Sequence, residues 1–166
     1  MQPYRFEHRQ LLPLTVEQAW EFFSDQNNLP QITPPGMAFR FYSQPPKDSY
    51  AGMIFSYSLR PLFGITMNWT AEITQMRKPF FFVDEQRFGP YRFWHHQHFL
   101  NEVKDGVEVY DLIHYLLPHI QFTAAVNRFI VVPRLKRIFD FRRKTLEKFF
   151  PSTPDITNLY HGGDSR

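Results

Sequence analysis

Residues 94 to 117, "WHHQHFLNEVKDGVEVYDLIHYLL", read as two strands joined at Lys104-Asp105-Gly106. Apolar and polar residues alternate on both sides of the turn, which is the period of a half-buried strand. Taken as a two-residue type I′ loop at Asp105–Gly106, the turn pairs Lys104 with Val107. Counting back sets Leu100 opposite Asp111, His98 opposite Ile113, His96 opposite Tyr115 and Trp94 opposite Leu117. Those eight residues share one face. His95, Gln97 and Phe99 take the other, with Leu116, His114 and Leu112. The histidines therefore divide: His96 and His98 point together and His95 points away.

Outward from this hairpin the texture stays strand-like from Met37 to Leu117. "MAFRFYSQ", "MIFSYSLR", "ITMNWTAEITQM" and "FFFVDEQRF" precede it, separated by "PPKDSYAG", "PLFG", "RKPF" and "GP". Short links imply antiparallel neighbours. "YRFEHRQLL", residues 4 to 12, adds a first strand. Thr15 and Gln18 form a capping box for a helix over about 16 to 24, and a brief helical turn follows near Asn28 to Ile32. "VVPRLKRIFDFRRKTLEKFF" spaces Val131, Leu135, Ile138, Phe139, Arg142, Leu146, Phe149 and Phe150 on one helical stripe. Arg142 alone in that stripe is polar. Pro133 either starts this helix or kinks a longer one that begins near Phe122. The expected fold is α+β: a curved antiparallel sheet of about seven strands around a long C-terminal helix, with two short helices between strands one and two. Residues 1–150 form one helix-and-sheet domain on this reading, and 151–166 a disordered tail.

Composition narrows the classes. The chain has 166 residues, 43% apolar and 18% aromatic, with Phe occurring 19 times. Such a surplus of flat side chains implies either dense packing or a roomy apolar cavity. Cys is absent, which removes disulfides and thiolate chemistry. The opening "MQPYRFEHRQ" carries no apolar signal segment, and no run is long enough to span a membrane, so a cytoplasmic location is expected. Net charge is +3, with eight basic residues between Arg128 and Lys148. Such a run reads as the solvated face of a helix, or as a surface for anionic membrane or a partner. The loop "RPLFGI", with Leu62 and Phe63 at its tip, would cap a cavity mouth or join that surface. Nucleic acid is not expected, because the aromatics sit within strands rather than among Lys and Arg on an open platform.

His96 and His98, with Asp111 diagonal to His98, are one candidate metal set. The alternative is that His98 and Asp111 are hydrogen-bonded partners in an apolar wall, and no metal is expected. No nucleophile elbow, Gly-rich dinucleotide motif or phosphate loop occurs, so no catalytic residue and no cofactor is assigned. Acid–base work by Asp111, His96 and Tyr115 is the enzymatic alternative.

"FVDEQRFGPYRFWHHQHF", "YDLIHYLLP" and "IFDFRRKTLEKFF", with "PLTVEQAWEFFSDQNNLPQITPP", resemble the bacterial branch of the START/birch-pollen-allergen-like (SRPBCC) superfamily. The likeness is to proteins labelled cyclase/dehydrase-like or cell-division-inhibitor-like. It covers about residues 4 to 150. Trp69, Asp84, Gln86, Gly89, Pro90, Trp94, His96, His98, Asp111, Tyr115 and Pro118 agree with recurring positions. Leu100 departs where an aromatic is expected, as does the Gly-free "HIQFTAAVNRF" after Pro118. The resemblance implies a helix-grip fold with an apolar cavity for a lipid-like or polyketide-like molecule. The expected function is binding of such a molecule by a monomer or homodimer. Trp69, Gln86, Trp94, His96, His98, Asp111, Tyr115 and, from the helix stripe, Phe139 are the candidate ligand-binding residues. An aromatase/cyclase- or dehydratase-type enzyme using a His/Asp pair is the first alternative. A membrane- or partner-docking module built on the basic helix is the second.

Overall fold

A computed structural model describes residues 2–62, 64–118 and 122–152. The strands are β1 (Tyr4–Leu12), β2 (Arg40–Phe41), β3 (Ile54–Leu62), β4 (Ile65–Arg77), β5 (Phe81–Phe88), β6 (Phe93–Val103) and β7 (Gly106–Leu116). They form one seven-stranded sheet in the order β1-β7-β6-β5-β4-β3-β2, with every pair antiparallel. From β2 to β7 consecutive strands lie side by side, while β1, separated from β2 by the short helices, pairs with β7 at the far edge. The register slips at Leu59/Leu62 between β3 and β4, and at Thr70/Ala71 and Ile73/Gln75 between β4 and β5. Such bulges bend the strands that carry them and give a sheet its concave face.

The helix α1 (Val16–Ser24) carries the capping box in full: Gln18 N donates to Thr15 Oγ1 and Thr15 N donates to Gln18 Oε1. It buries Val16, Ala19, Trp20 and Phe23. The helical turn expected at Asn28 to Ile32 lies earlier, as a 3₁₀ turn over Gln26–Asn28. Asp25 sets its start by accepting from Asn27 N at 3.0 Å. "MAFRFYSQ" yields only the two residues of β2. The 3₁₀ turn Pro35–Met37 and the left-handed Ala38 precede it, and Pro45 and Pro46 cannot extend an edge ladder beyond it.

The C-terminal helix settles the Pro133 alternatives in favour of the longer element. It starts as α2 (Thr123–Val126), widens to a π turn over Asn127–Val131 and continues as α3 (Val132–Phe149). Pro133 has no N–H to give to the carbonyl four residues back, and the wide turn lies where that bond is missing. α3 packs on β1 through Phe139, whose ring centroid lies 5.2 Å from Phe6 and 5.1 Å from His8. Gln10 Nε2 donates to the Arg143 carbonyl across the same seam. The expectations for the tail, for the Leu62 and Phe63 side chains and for residues 119–121 lie outside the described residues.

The β6–β7 register differs from the sequence reading by two residues. Val103 pairs with Gly106, so His98 faces Asp111, His96 faces Ile113 and Trp94 faces Tyr115. Neither Lys104 nor Asp105 has a positive φ, which a type I′ turn demands; Gly106 instead stands at φ 137°. A shift of two leaves every side chain on its expected face. Trp94, His96, His98 and Leu100 are buried with Val107, Val109, Asp111, Ile113 and Tyr115. Gly106 is also where β1 turns away, and a Cβ there would run into the Leu12 carbonyl. Backbone strain and a backbone clash therefore coincide. Gly106→Ala is expected to cost about 2 kcal/mol or more. Urea unfolding measures this, and a loss below about 0.5 kcal/mol would contradict the close approach.

Candidate functional site

The concave face of the sheet and the inner face of α3 do not meet everywhere. A cavity of about 390 Å³ separates them. Its sheet wall includes Phe55, Tyr57 and Leu59 of β3, Trp69 of β4, Phe82 and Asp84 of β5, and Trp94, His96 and His98 of β6. Arg134, Leu135, Ile138, Phe139 and Arg142 of α3 face them, and Leu29, Ile32 and Met37 close one side. The aromatics form a belt across the strands. Tyr57 stacks on Trp69 at 6.0 Å, Trp69 meets Trp94 edge-on at 5.2 Å, and Tyr91 lies 4.7 Å from Trp94. Edge-to-face rings are a favourable packing of their quadrupoles, so the belt is self-supporting without filling the cavity.

One pole of the cavity is polar, and strand register builds it. Asp84 pairs with His96 across β5–β6, and His98 pairs with Asp111 across β6–β7. The hydrogen bonds run along the diagonals. His98 Nε2 donates to Asp84 Oδ2 at 2.8 Å, and His96 Nε2 donates to Asp111 Oδ1 at 3.0 Å. The two imidazole centroids are 3.7 Å apart, and Phe82 stacks on His98 at 4.2 Å. His98 Nδ1 also lies 2.9 Å from Asp111 Oδ1, but outside hydrogen-bond geometry. Arg142 Nη1 stands 3.9 Å from the same oxygen, and its guanidinium covers the Phe139 ring.

These contacts separate the two histidines electrostatically. Burial and the neighbouring His98 push the pKa of His96 below the ordinary imidazole value. Burial also works against a charge on His98, but the carboxylates of Asp111 and Asp84 outweigh it and raise its pKa. Burial alone would raise the Asp111 carboxyl. Its bond to His96 and the His98 imidazole close beside it hold it well below the ordinary carboxylate value instead, and Asp84 is lowered by its bond to His98 and the nearby His96. At neutral pH both aspartates are charged, and of the two imidazoles His98 holds a proton more tightly.

Of the candidate residues, the structure brings Trp69, Trp94, His96, His98 and Phe139 to the cavity wall. Asp111 is 2% exposed and lies behind the histidines. Tyr115 is fully buried, and its O–H donates to Asn127 Oδ1 at 2.6 Å, tying β7 to the π turn. Gln86 turns to the loop beyond β5. Its Nε2 donates to the Tyr91 carbonyl and its Oε1 accepts from Tyr91 N. Gly89 lets that side chain fold back, since a Cβ there would meet Gln86. Among the further wall residues, Arg142 was visible as the one polar member of the helix stripe. Asp84 shares the period-two face of Phe82, which marks it as a charge on an apolar face. Tyr57, Tyr91 and Arg134 have no comparable signal in the sequence. The stability of the fold should reflect the His98 shift. A raised pKa stabilises fully below the ordinary imidazole value and loses its contribution as pH rises through the folded-state value. The destabilisation caused by His98→Gln should therefore be larger at about pH 6 than at about pH 9 in urea titrations. An equal or opposite trend would contradict the assigned charge.

Neither a family model nor a curated protein sequence matches the chain. Solved structures do. A Chromobacterium violaceum protein superposes with a TM-score of 0.69 at 12% identity, covering 91% of this chain and 100% of its own. Ginseng major latex-like protein 151 from Panax ginseng gives 0.67 at 11%, over 92% and 100%. The Zhui aromatase/cyclase of a Streptomyces gives 0.67 at 11%, over 89% and 93%. At such identities the likeness is one of architecture, and it agrees with the sequence resemblance: the chain has the helix-grip fold found in the START/birch-pollen-allergen-like (SRPBCC) superfamily.

Proposed function

We propose that the protein binds a hydrophobic small molecule, lipid-like or polyketide-like, between the sheet and the C-terminal helix. The observation that carries this is the cavity itself: about 390 Å³, walled by aromatic and aliphatic side chains, with a polar group at one pole. Ligand sites run from about 300 to 1,000 Å³ and combine apolar walls with a few convergent polar groups. Each methylene taken from water into such a wall contributes about 0.8 kcal/mol before association costs. The polar pole would orient the ligand rather than supply its affinity.

A second reading, an aromatase/cyclase- or dehydratase-type enzyme, is favoured by one feature. Two adjacent imidazoles on the cavity wall have their pKa values moved in opposite directions. Such a split is how one site assigns an acid and a base at a single pH. Protonated His98 would be the acid and neutral His96 the base, and one structural neighbour is itself an aromatase/cyclase.

The neutral dye N-phenyl-1-naphthylamine should bind with one-to-one stoichiometry. It should quench Trp69 and Trp94, which line the cavity, so that a Trp20→Phe variant keeps the full effect. Leu59→Trp, which puts an indole into the space, should weaken binding about tenfold or more while the fold persists. Absence of dye binding, together with native mass spectra showing no co-purified lipophile, would refute the binding reading. The two readings part on His98→Gln. An enzyme loses turnover of a poly-β-keto thioester while dye binding survives; a carrier shows no turnover to lose.

A further inference from the structure

The cavity lacks one kind of partner. Arg134 and Arg142 both line it, and the Nε of each is buried with no hydrogen-bond partner among the described residues. The indole N–H of Trp69, another lining residue, is in the same state. All three groups are donors and none can accept. Arg142 stands beside the polar pole. Its side chain is 11% exposed, its guanidinium lies 4.8 Å over the Phe139 ring, and its separation from Asp111 is 3.9 Å. That separation is beyond hydrogen bonding. The Phe139 ring and the nearby carboxylate orient Arg142, and among the described residues its Nε has no acceptor.

We propose that the cavity takes an amphipathic carboxylic acid, its head group received by Arg142 and its apolar body lying along the Tyr57–Trp69–Trp94 belt. This rests on the cavity-binding reading above and adds the chemical class of the ligand. A planar guanidinium matches a carboxylate in shape and forms the stronger, charge-assisted type of bond. The charge balance points the same way. The carboxylates of Asp84 and Asp111 already accept from imidazoles, so the guanidiniums of Arg134 and Arg142 are the charges on this cavity left for the anion of a ligand.

The same balance decides against a metal. Asp84, His96 and His98 bring ligand atoms within 4.8 Å of one another. But the two imidazole N–H groups are already bonded to Asp84 and Asp111, and a dication would add to the positive charge of two guanidiniums on the same cavity. Arg134 lies two turns away from Arg142, about 12 Å along the helix axis, so it contributes to the field rather than to the head-group contact.

The test compares dodecanoic acid, 1-dodecanol and methyl dodecanoate as displacers of N-phenyl-1-naphthylamine from the whole chain. The acid should bind about tenfold or more tightly than the alcohol and the ester. Arg142→Met should abolish that preference while leaving alcohol binding near its original strength; Arg134→Met should retain most of it. Equal binding of acid, alcohol and ester to the unaltered chain would overturn the head-group assignment alone, with no variant needed. Binding of none of them would overturn the cavity reading and this inference together. A preference that survives in a folded Arg142→Met protein would overturn the role of Arg142. Displacement of the dye by zinc chloride, abolished in His96→Ala, would overturn the argument against a metal.

Discussion

The diagonal bonding of Asp84, His96, His98 and Asp111 is the constraint on which the interior depends. Four polar side chains face inward from the middle of the sheet, where an unsatisfied group costs about 1–3 kcal/mol. Each carboxylate accepts from an imidazole on the neighbouring strand, so the set satisfies itself without help from α3. The helix is thereby free to stand off. Were the aspartates to need partners from the helix, α3 would be drawn onto the sheet and the space between would close. Replacing one member strands another: an aspartate without its histidines is a buried, uncompensated charge, and the penalty for that exceeds the worth of the pair.

The hollow also explains where the phenylalanines go. Among the described residues, Phe23, Phe39, Phe55, Phe82 and Phe139 face the cavity. Others pack elsewhere. Phe22, Phe149 and Phe150 cluster edge-on where the end of α3 meets α1. Phe81, Phe99 and Tyr110 form a ladder on the opposite face of the sheet, with Arg9 over Tyr110 at 3.7 Å. The aromatic surplus thus serves two surfaces of the sheet and one helix junction. The cavity persists because its own rings lean on each other rather than reaching across to the helix.

Much of this was legible because strand faces are robust. A register error of two residues in the hairpin left Trp94, His96, His98, Asp111 and Tyr115 on their proper side, since period two cannot distinguish the two registers. What the sequence could not fix was depth. Asp111, Tyr115 and Trp94 share a face, yet only Trp94 reaches the cavity, because the curvature set by the β4 bulges and the position of the helix decide which residues are covered. Gln86 shows the same limit. Its alternation with Asp84 places it inward, but the tight loop at Gly89 captures its amide. Arg142 was the informative anomaly: a charge in an apolar stripe has either to be neutralised by the fold or to await a partner. Here Asp111 is near and not bonded.

Pro133 connects the helix to the same logic. The π turn that precedes it is pinned to β7 by the Tyr115 hydroxyl on Asn127, at the opposite end of the hairpin from Gly106. Beyond the proline, α3 runs on to Phe139, which rests on β1, and to Arg142 at the polar pole. The helix is therefore held at two places, its wide turn and its contact with β1, and between them it bridges the cavity as a span. Val126 and Val131 at one end and Phe139 and Arg142 at the other all line that space. A single π turn inside an α-helix is rare and is found often at functional sites. Here it lies at the Tyr115 end of the span, while the contact of Phe139 with β1 lies at the His/Asp end, so the two anchors of the helix bracket the hollow between them.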